Sequence, residues 1–157
     1  MRSIAGKGFL AAMVLAAVAL TTRTAQAQTL VGGRLGVYTD AEDLFLGAEV
    51  LTPVAERLYL NPNVEYVFVD PGTFATFNFD LHYDFPLEGS SAFLWAGGGL
   101  GILYFNPEGP GGSDTDLGAN ILFGVGFLRD RPVIPYVQAK VIAADNSDFV
   151  VGFGVRF

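Results

Sequence analysis

Residues 148–157 read DFVVGFGVRF. Phe149, Val151, Phe153, Val155 and Phe157 share one parity, and Val150, Gly152, Gly154 and Arg156 share the other. A period of two is the repeat of a β-strand with two unlike faces. One face is bulky and apolar throughout; the other is small apart from an arginine. Chain ends fray unless something ties them down. An ordered strand this apolar therefore needs an apolar surrounding on its outer side as well as its inner side.

Working outward, the composition points the same way. The 157 residues fit one domain. They are 51% hydrophobic and 16% charged, against about 25% charged in soluble domains. The one long apolar run is FLAAMVLAAVAL, Phe9 to Leu20, well short of the about 20 residues a spanning helix needs. Arg2 and Lys7 precede it, and Ala25-Gln26-Ala27 supplies a small-x-small ending. These features define a secretory signal peptide over residues 1–27, cleaved before Gln28. There is no cysteine, which excludes a lipoprotein anchor, disulfides and thiolate metal sites. Three of the nine basic residues, Arg2, Lys7 and Arg23, lie in that leader. Six then remain against all sixteen acidic ones, a formal charge of −10. Nucleic acid, which demands a basic footprint, is excluded as a partner. An exported, apolar chain without a helical span crosses a bilayer only as a closed β-barrel.

Residues 28–157 divide accordingly into strand-like stretches of roughly ten residues separated by turn signals. They are Leu30–Thr39, Leu44–Leu51, Leu58–Val69, Phe74–Phe85, Ala92–Phe105, Asp116–Leu128, Val133–Ala143 and the closing stretch quoted above. The fold class is all-β: a transmembrane, antiparallel, up-and-down barrel of eight strands. The fourth stretch decides which face meets lipid. Phe77, Phe79, Leu81, Tyr83 and Phe85 alternate with Thr76, Asn78, Asp80, His82 and Asp84. A soluble barrel of the lipocalin kind also alternates, but its outer face is rich in Lys and Glu. Here the polar face carries about one charge per strand, too few to solvate an exterior, so the apolar face is the exterior.

With these features the chain resembles the small eight-stranded outer-membrane β-barrels of Gram-negative bacteria, the superfamily around the outer-membrane protein A barrel and its short-looped relatives. The resemblance covers Gln28 to Phe157, and its most specific element is the closing strand with its terminal aromatic. VEYVF at Val64 to Phe68 is a weaker match. The resemblance implies an outer-membrane location and contact with outer-membrane lipid and lipopolysaccharide. It also implies a monomer inserted by the barrel-assembly machinery, with Phe149, Val151, Phe153, Val155 and Phe157 as the assembly signal. The chain departs from larger members in its short loops and in having no periplasmic domain, so peptidoglycan binding is not inherited.

By parity Arg34, Glu49, Glu65, Asp80, His82, Lys140 and Arg156 point into the barrel, with Asn63, Asn78, Asn120 and Gln138. Eight strands leave an interior that side chains can fill, and unpaired charges there are costly. Two readings stay open: a structural salt-bridge core, or a narrow, porin-like path for ions or small solutes. A third, a lipid-modifying enzyme, would rest on His82. No serine neighbours it in the strand and it faces away from lipid, so no catalytic residue, cofactor or metal is assigned. GGGLG at Gly97 to Gly101 has no following helix or lysine and is not a phosphate loop. The function expected is envelope-structural or surface-interacting, with the channel as the alternative.

Tyr38, Tyr59, Tyr66, Tyr83, Trp95, Tyr104 and Tyr136 fall near strand ends, where interface girdles form; the alternative for some of them is an inward-facing position. The fifth stretch is apolar or glycine on both parities, so its faces cannot be assigned. The loops after the first, third, fifth and seventh stretches hold Asp40, Glu42, Asp43, Asp70, Glu108, Asp114, Asp116, Asp145 and Asp148 and no basic residue, whereas the opposite turns hold Arg57, Arg129 and Arg131. The acidic end is expected to face outward. Its carboxylates are either simply solvated or gather Mg²⁺ or Ca²⁺, with Asp114 to Asp116 the best local candidate.

Overall fold

The eight stretches close on themselves. The computed structural model describes residues 28–107, 111–145 and 147–157; the segment read as a signal peptide lies outside them. The strands are β1 (Leu30–Tyr38), β2 (Asp43–Ala55), β3 (Leu58–Val67), β4 (Thr73–Pro86), β5 (Phe93–Asn106), β6 (Asp114–Gly126), β7 (Ile134–Ala143) and β8 (Asp148–Arg156). Each pairs antiparallel with the next, and β8 returns to β1. Every strand thus has two neighbours and no edge is left to solvate, the condition a sheet must meet within hydrocarbon. No helix occurs among the described residues.

Most strand ends lie one or two residues from those expected, and the largest difference is in β2. Thr52, Pro53 and Val54, beyond the expected end of the second stretch, continue β2 to Ala55. The pairing with β3 shifts register between Pro53 and Ala55, the kind of irregularity at which a proline, lacking an N–H, is tolerated. The turn itself is only Glu56 and Arg57, the latter at φ 60°. β6 begins at Asp114, two residues earlier than expected.

Outward positions form an apolar wall. Leu35, Leu46, Phe79, Leu100, Phe123 and Phe153 are all exposed, and Leu117 and Ile121 reach 77% and 69% exposure. A soluble monomer rarely shows a continuous apolar surface of this kind. Phe149, Val151, Phe153, Val155 and Phe157 all lie on this outer side of the sheet. Tyr66 packs edge-on against Phe68 on the outer face at the loop end, and Tyr83 does the same with Phe85 at the end that carries the termini.

Inside, large side chains sit beside glycines across the strand pairs. Phe45 pairs with Gly36 and Glu49 with Gly32. Asn78, Asp80 and His82 of β4 face Gly101, Gly99 and Gly97 of β5. Phe93 and Trp95 face Gly126 and Gly124, and Tyr136 and Gln138 face Gly154 and Gly152. This settles strand five: Phe93, Trp95 and the glycines at 97, 99 and 101 point inward, while Leu94, Ala96, Leu100 and Ile102 point outward. The interior of an eight-stranded barrel is just wide enough for side chains to fill, and at these pairs the glycine leaves space for its larger neighbour. A Cβ added at Gly124 would overlap the Trp95 indole, and one at Gly97 would overlap the backbone of β4.

Candidate functional site: the barrel lumen

The lumen fills in three layers. At the loop end Tyr38, Phe45, Val67, Ile142 and Val150 form a buried apolar cluster, backed by Phe74 and Leu103. At the terminal end Phe93, Trp95, Leu122, Ile134 and Tyr136 form a second. Between and around them lies the polar network.

Two carboxylates organise it. Glu65 on β3 receives Lys140 Nζ at 3.0 and 3.1 Å, Arg34 Nη2 at 3.0 Å, the Tyr38 hydroxyl at 2.5 Å and the Thr76 hydroxyl at 3.2 Å. Glu49 on β2 receives Arg156 Nε at 2.8 Å and Nη2 at 3.3 Å and Asn61 Nδ2 at 3.0 Å. Arg34 Nη1 lies 3.9 Å from Glu49, so one guanidinium stands between both carboxylates. Asp80 is held by amides instead, accepting from Asn63 at 3.0 Å and Asn120 at 2.8 Å. Arg34, Lys140 and Arg156 thus balance Glu49, Glu65 and Asp80 one for one, and all six are buried. Buried charge is tolerable only under such compensation.

Strand β5 makes the network possible by withholding side chains. Asn120 on β6 reaches over β5 to Asn78 Oδ1 at 2.9 Å and to Asp80 on β4. A Cβ at Gly99 would meet the Asp80 carboxylate, and one at Gly101 would stand 2.9 Å from Asn78 Oδ1. The GGGLG run is therefore a slot cut in the wall for a β4–β6 bridge.

Nearer the terminal end, His82 stacks on Trp95, with ring centroids 5.5 Å apart at 28°, and Tyr59 flanks it at 5.8 Å. Its Nε2 is 3.4 Å from Asp84 Oδ1, and Asp84 Oδ2 is 3.3 Å from Arg129 on the turn below. Arg156 lies over both the Trp95 and Tyr136 rings, at 4.9 and 4.3 Å. The described serines, Ser90, Ser91, Ser113 and Ser147, all lie in turns or loops.

The seven ionisable residues and the four amides picked by parity are all buried. The arrangement gathers Arg34, Glu49, Glu65, Lys140 and Arg156 into one cluster. Asp80 stands beside it among asparagines, and His82 joins Asp84 rather than the cluster. The sequence reading left out Asn61, whose parity with Asn63 and Glu65 was available, and the Arg129–Asp84 contact, which depends on a turn folding back. Of the aromatics near strand ends, Tyr38, Trp95 and Tyr136 are buried in the lumen and Tyr59 turns inward beside His82, so these four belong to no girdle. Their polar atoms explain this in part. The Tyr38 hydroxyl serves Glu65, the Trp95 N–H donates to Gln138 at 3.3 Å, and facing glycines leave the space.

Similarity to known proteins comes from solved structures. The N-terminal β-barrel domain of Pseudomonas aeruginosa OprF superposes with a TM-score of 0.72 at 16% identity, covering 84% of this chain and 98% of that one. The chain has the fold of the small outer-membrane barrels. Neisserial surface protein A is similar with a TM-score of 0.59 at 14% identity, over 83% of this chain and 94% of that one. The outer membrane enzyme PagL follows at 0.53 and 14%, over 82% and 98%. No family model and no curated protein matches the sequence. At these identities the likeness is one of fold.

Proposed function

We propose that this chain is an integral outer-membrane protein, exported by residues 1–27 and assembled as a monomeric barrel whose plugged lumen serves stability rather than transport. Its role is envelope-structural or surface-interacting, without catalysis. The observation that carries this reading is the pairing of an apolar exterior with a lumen filled by apolar layers above and below a charge-balanced core. A lipid-facing exterior favours insertion beside lipopolysaccharide, and the fold shared with outer-membrane proteins supports the same location. In this reading the row from Phe149 to Phe157 is the signal read by the barrel-assembly machinery. A serine-dependent enzyme would need a serine beside His82, whose near neighbours are Tyr59, Trp95 and Asp84, while the described serines lie in turns or loops.

The test is reconstitution of the folded chain into a planar bilayer, alongside fractionation of cells that express it. The expected result is no unitary current, with the chain retained in the outer-membrane fraction after carbonate washing. A steady unitary current would replace the structural role with the channel. Recovery in the soluble periplasmic fraction would end the membrane reading.

A further inference from the structure

At the loop end, above the upper apolar layer, the barrel opens into a cup of about 270 Å³. Tyr38, Phe74, Leu103 and Phe105 line it, and so do three carboxylate residues, Asp114, Asp116 and Asp148. We propose that this cup binds a small organic cation that carries an apolar group, of the aryl- or alkylammonium class.

The apolar part is aromatic and fixed. Tyr38 meets Phe74 edge-on at 5.7 Å, and Phe74 meets Phe105 edge-on at 6.4 Å. The Tyr38 ring is anchored from below, because its hydroxyl is bonded to Glu65 and adjoins Thr76. A wall residue already held by such a bond loses little freedom when a ligand enters. Aromatic faces also attract cations through their quadrupole.

The charge on the rim selects the sign of the occupant. Asp148 accepts the Asp40 backbone N–H at 3.4 Å, and Asp114 accepts that of Thr115 at 2.9 Å. Among the described residues no Lys or Arg pairs with Asp114, Asp116 or Asp148. Asp40, Glu42, Asp43 and Asp145 add negative charge at the same end, and the described loops there contain no Lys or Arg. An anion is repelled, and a neutral apolar molecule leaves that field unused.

A bare divalent cation fits poorly. Ca²⁺ takes six to eight oxygens and Mg²⁺ a near-octahedral set. Among the described residues no three His, Cys, Asp or Glu side chains are placed to hold a metal. The lower wall offers rings and a leucine instead of oxygens. An organic ammonium ion matches both halves: its charge meets the carboxylates and its apolar group meets the rings. The volume lies just under the usual span of small-molecule pockets, about 300–1,000 Å³, so the ligand is small.

The experiment uses the full folded barrel in non-ionic maltoside micelles, since zwitterionic detergents carry quaternary ammonium groups of their own. Benzyltrimethylammonium is titrated calorimetrically. Saturable binding is expected, weakened about tenfold or more in an Asp114→Asn, Asp116→Asn, Asp148→Asn variant and in Phe74→Ala. Heat-modifiable gel migration confirms that each variant is folded. Benzyl alcohol, neutral, and tetramethylammonium, without the ring, should each bind about tenfold more weakly than the probe. Absence of saturation, equal affinity in the triple variant, or equal affinity for benzyl alcohol would each overturn the proposal. Displacement by Mg²⁺ no better than by Na⁺ at matched ionic strength would fit an organic-cation site. Stoichiometric displacement by Mg²⁺ would assign the rim to a metal instead.

Discussion

Lys140 of β7 and Glu65 of β3, four strands apart, meet across the lumen with Nζ 3.0 and 3.1 Å from the two carboxylate oxygens. A bond between opposite walls ties the barrel through its centre, where the sheet alone ties only neighbours. Replacing Lys140 by Met removes one of two cations on Glu65, and replacing Glu65 by Gln strips both Lys140 and Arg34 of their shared anion. Breaking a buried pair costs about 3–5 kcal/mol. Urea unfolding in liposomes should place Lys140→Met in that range and Glu65→Gln beyond it. Equal stability of wild type and Glu65→Gln would show that the pair contributes nothing net.

Glycine positions supply a second test, because the two faces of one strand make opposite demands. A Cβ at Gly36 would press into the Val151 carbonyl and the Phe45 ring, whereas one at Gly33 meets nothing within 4 Å. Gly36→Ala should destabilise by about 1–3 kcal/mol, as overpacked sites do. Gly33→Ala should be neutral or stabilising by about 0.4–1 kcal/mol through reduced freedom of the unfolded chain. The comparison is read from the temperature at which heat-modifiable migration is lost. Similar shifts for both variants would contradict the steric account.

How much of this was legible in the sequence follows from where the signal is local. Strand four alternates without a break from Thr76 to Phe85, so its faces and the burial of Asp80 and His82 could be read directly. Strand five could not be read, because glycine carries no polarity. The role of Gly99 and Gly101 lies in letting Asn120 of the neighbouring strand reach across them to β4. Trp95 and Tyr136 sit near strand ends, as girdle residues do, and only the glycines opposite them reveal that they turn inward. Those glycines, Gly124 and Gly154, become their partners through the register, which alternation alone does not specify. The cup at the loop end is less legible still, since Tyr38, Phe105 and Asp114 come from three different strands.

Two arginines at the terminal end should separate by magnitude. Arg156 is buried, bonded to Glu49 through two nitrogens and stacked over Trp95 and Tyr136. Arg129 is partly exposed, with one contact to Asp84 at 3.3 Å and its guanidinium 4.8 Å above Phe93. Arg156→Met leaves a buried carboxylate short of its main partner and should cost about 3–5 kcal/mol. Arg129→Ala should cost about 1 kcal/mol or less, the scale of a screened pair. A larger loss at Arg129 would identify the turn as a structural latch on the lumen.

Trp95, the only tryptophan in the chain, is an internal reporter of which way β5 faces. It is fully buried, stacked on His82 and bonded through its N–H to Gln138. In bilayers whose acyl chains carry bromine, a lipid-facing indole is quenched by contact, while one inside the lumen is shielded by the strand wall. Trp95 emission should therefore be little changed by brominated lipid. A Trp95→Phe, Phe153→Trp variant places the only indole on the outer face, where Phe153 is 49% exposed, and should be strongly quenched. Removing the amide partner by Gln138→Leu leaves the Trp95 N–H without its acceptor in a packed interior, which costs about 1–3 kcal/mol. That variant should lose stability and still resist quenching, because packing against Gly124 and His82 continues to hold the ring inside. Strong quenching of Trp95 in the unaltered chain would reverse the assignment of strand five, and the glycine slot for Asn120 with it.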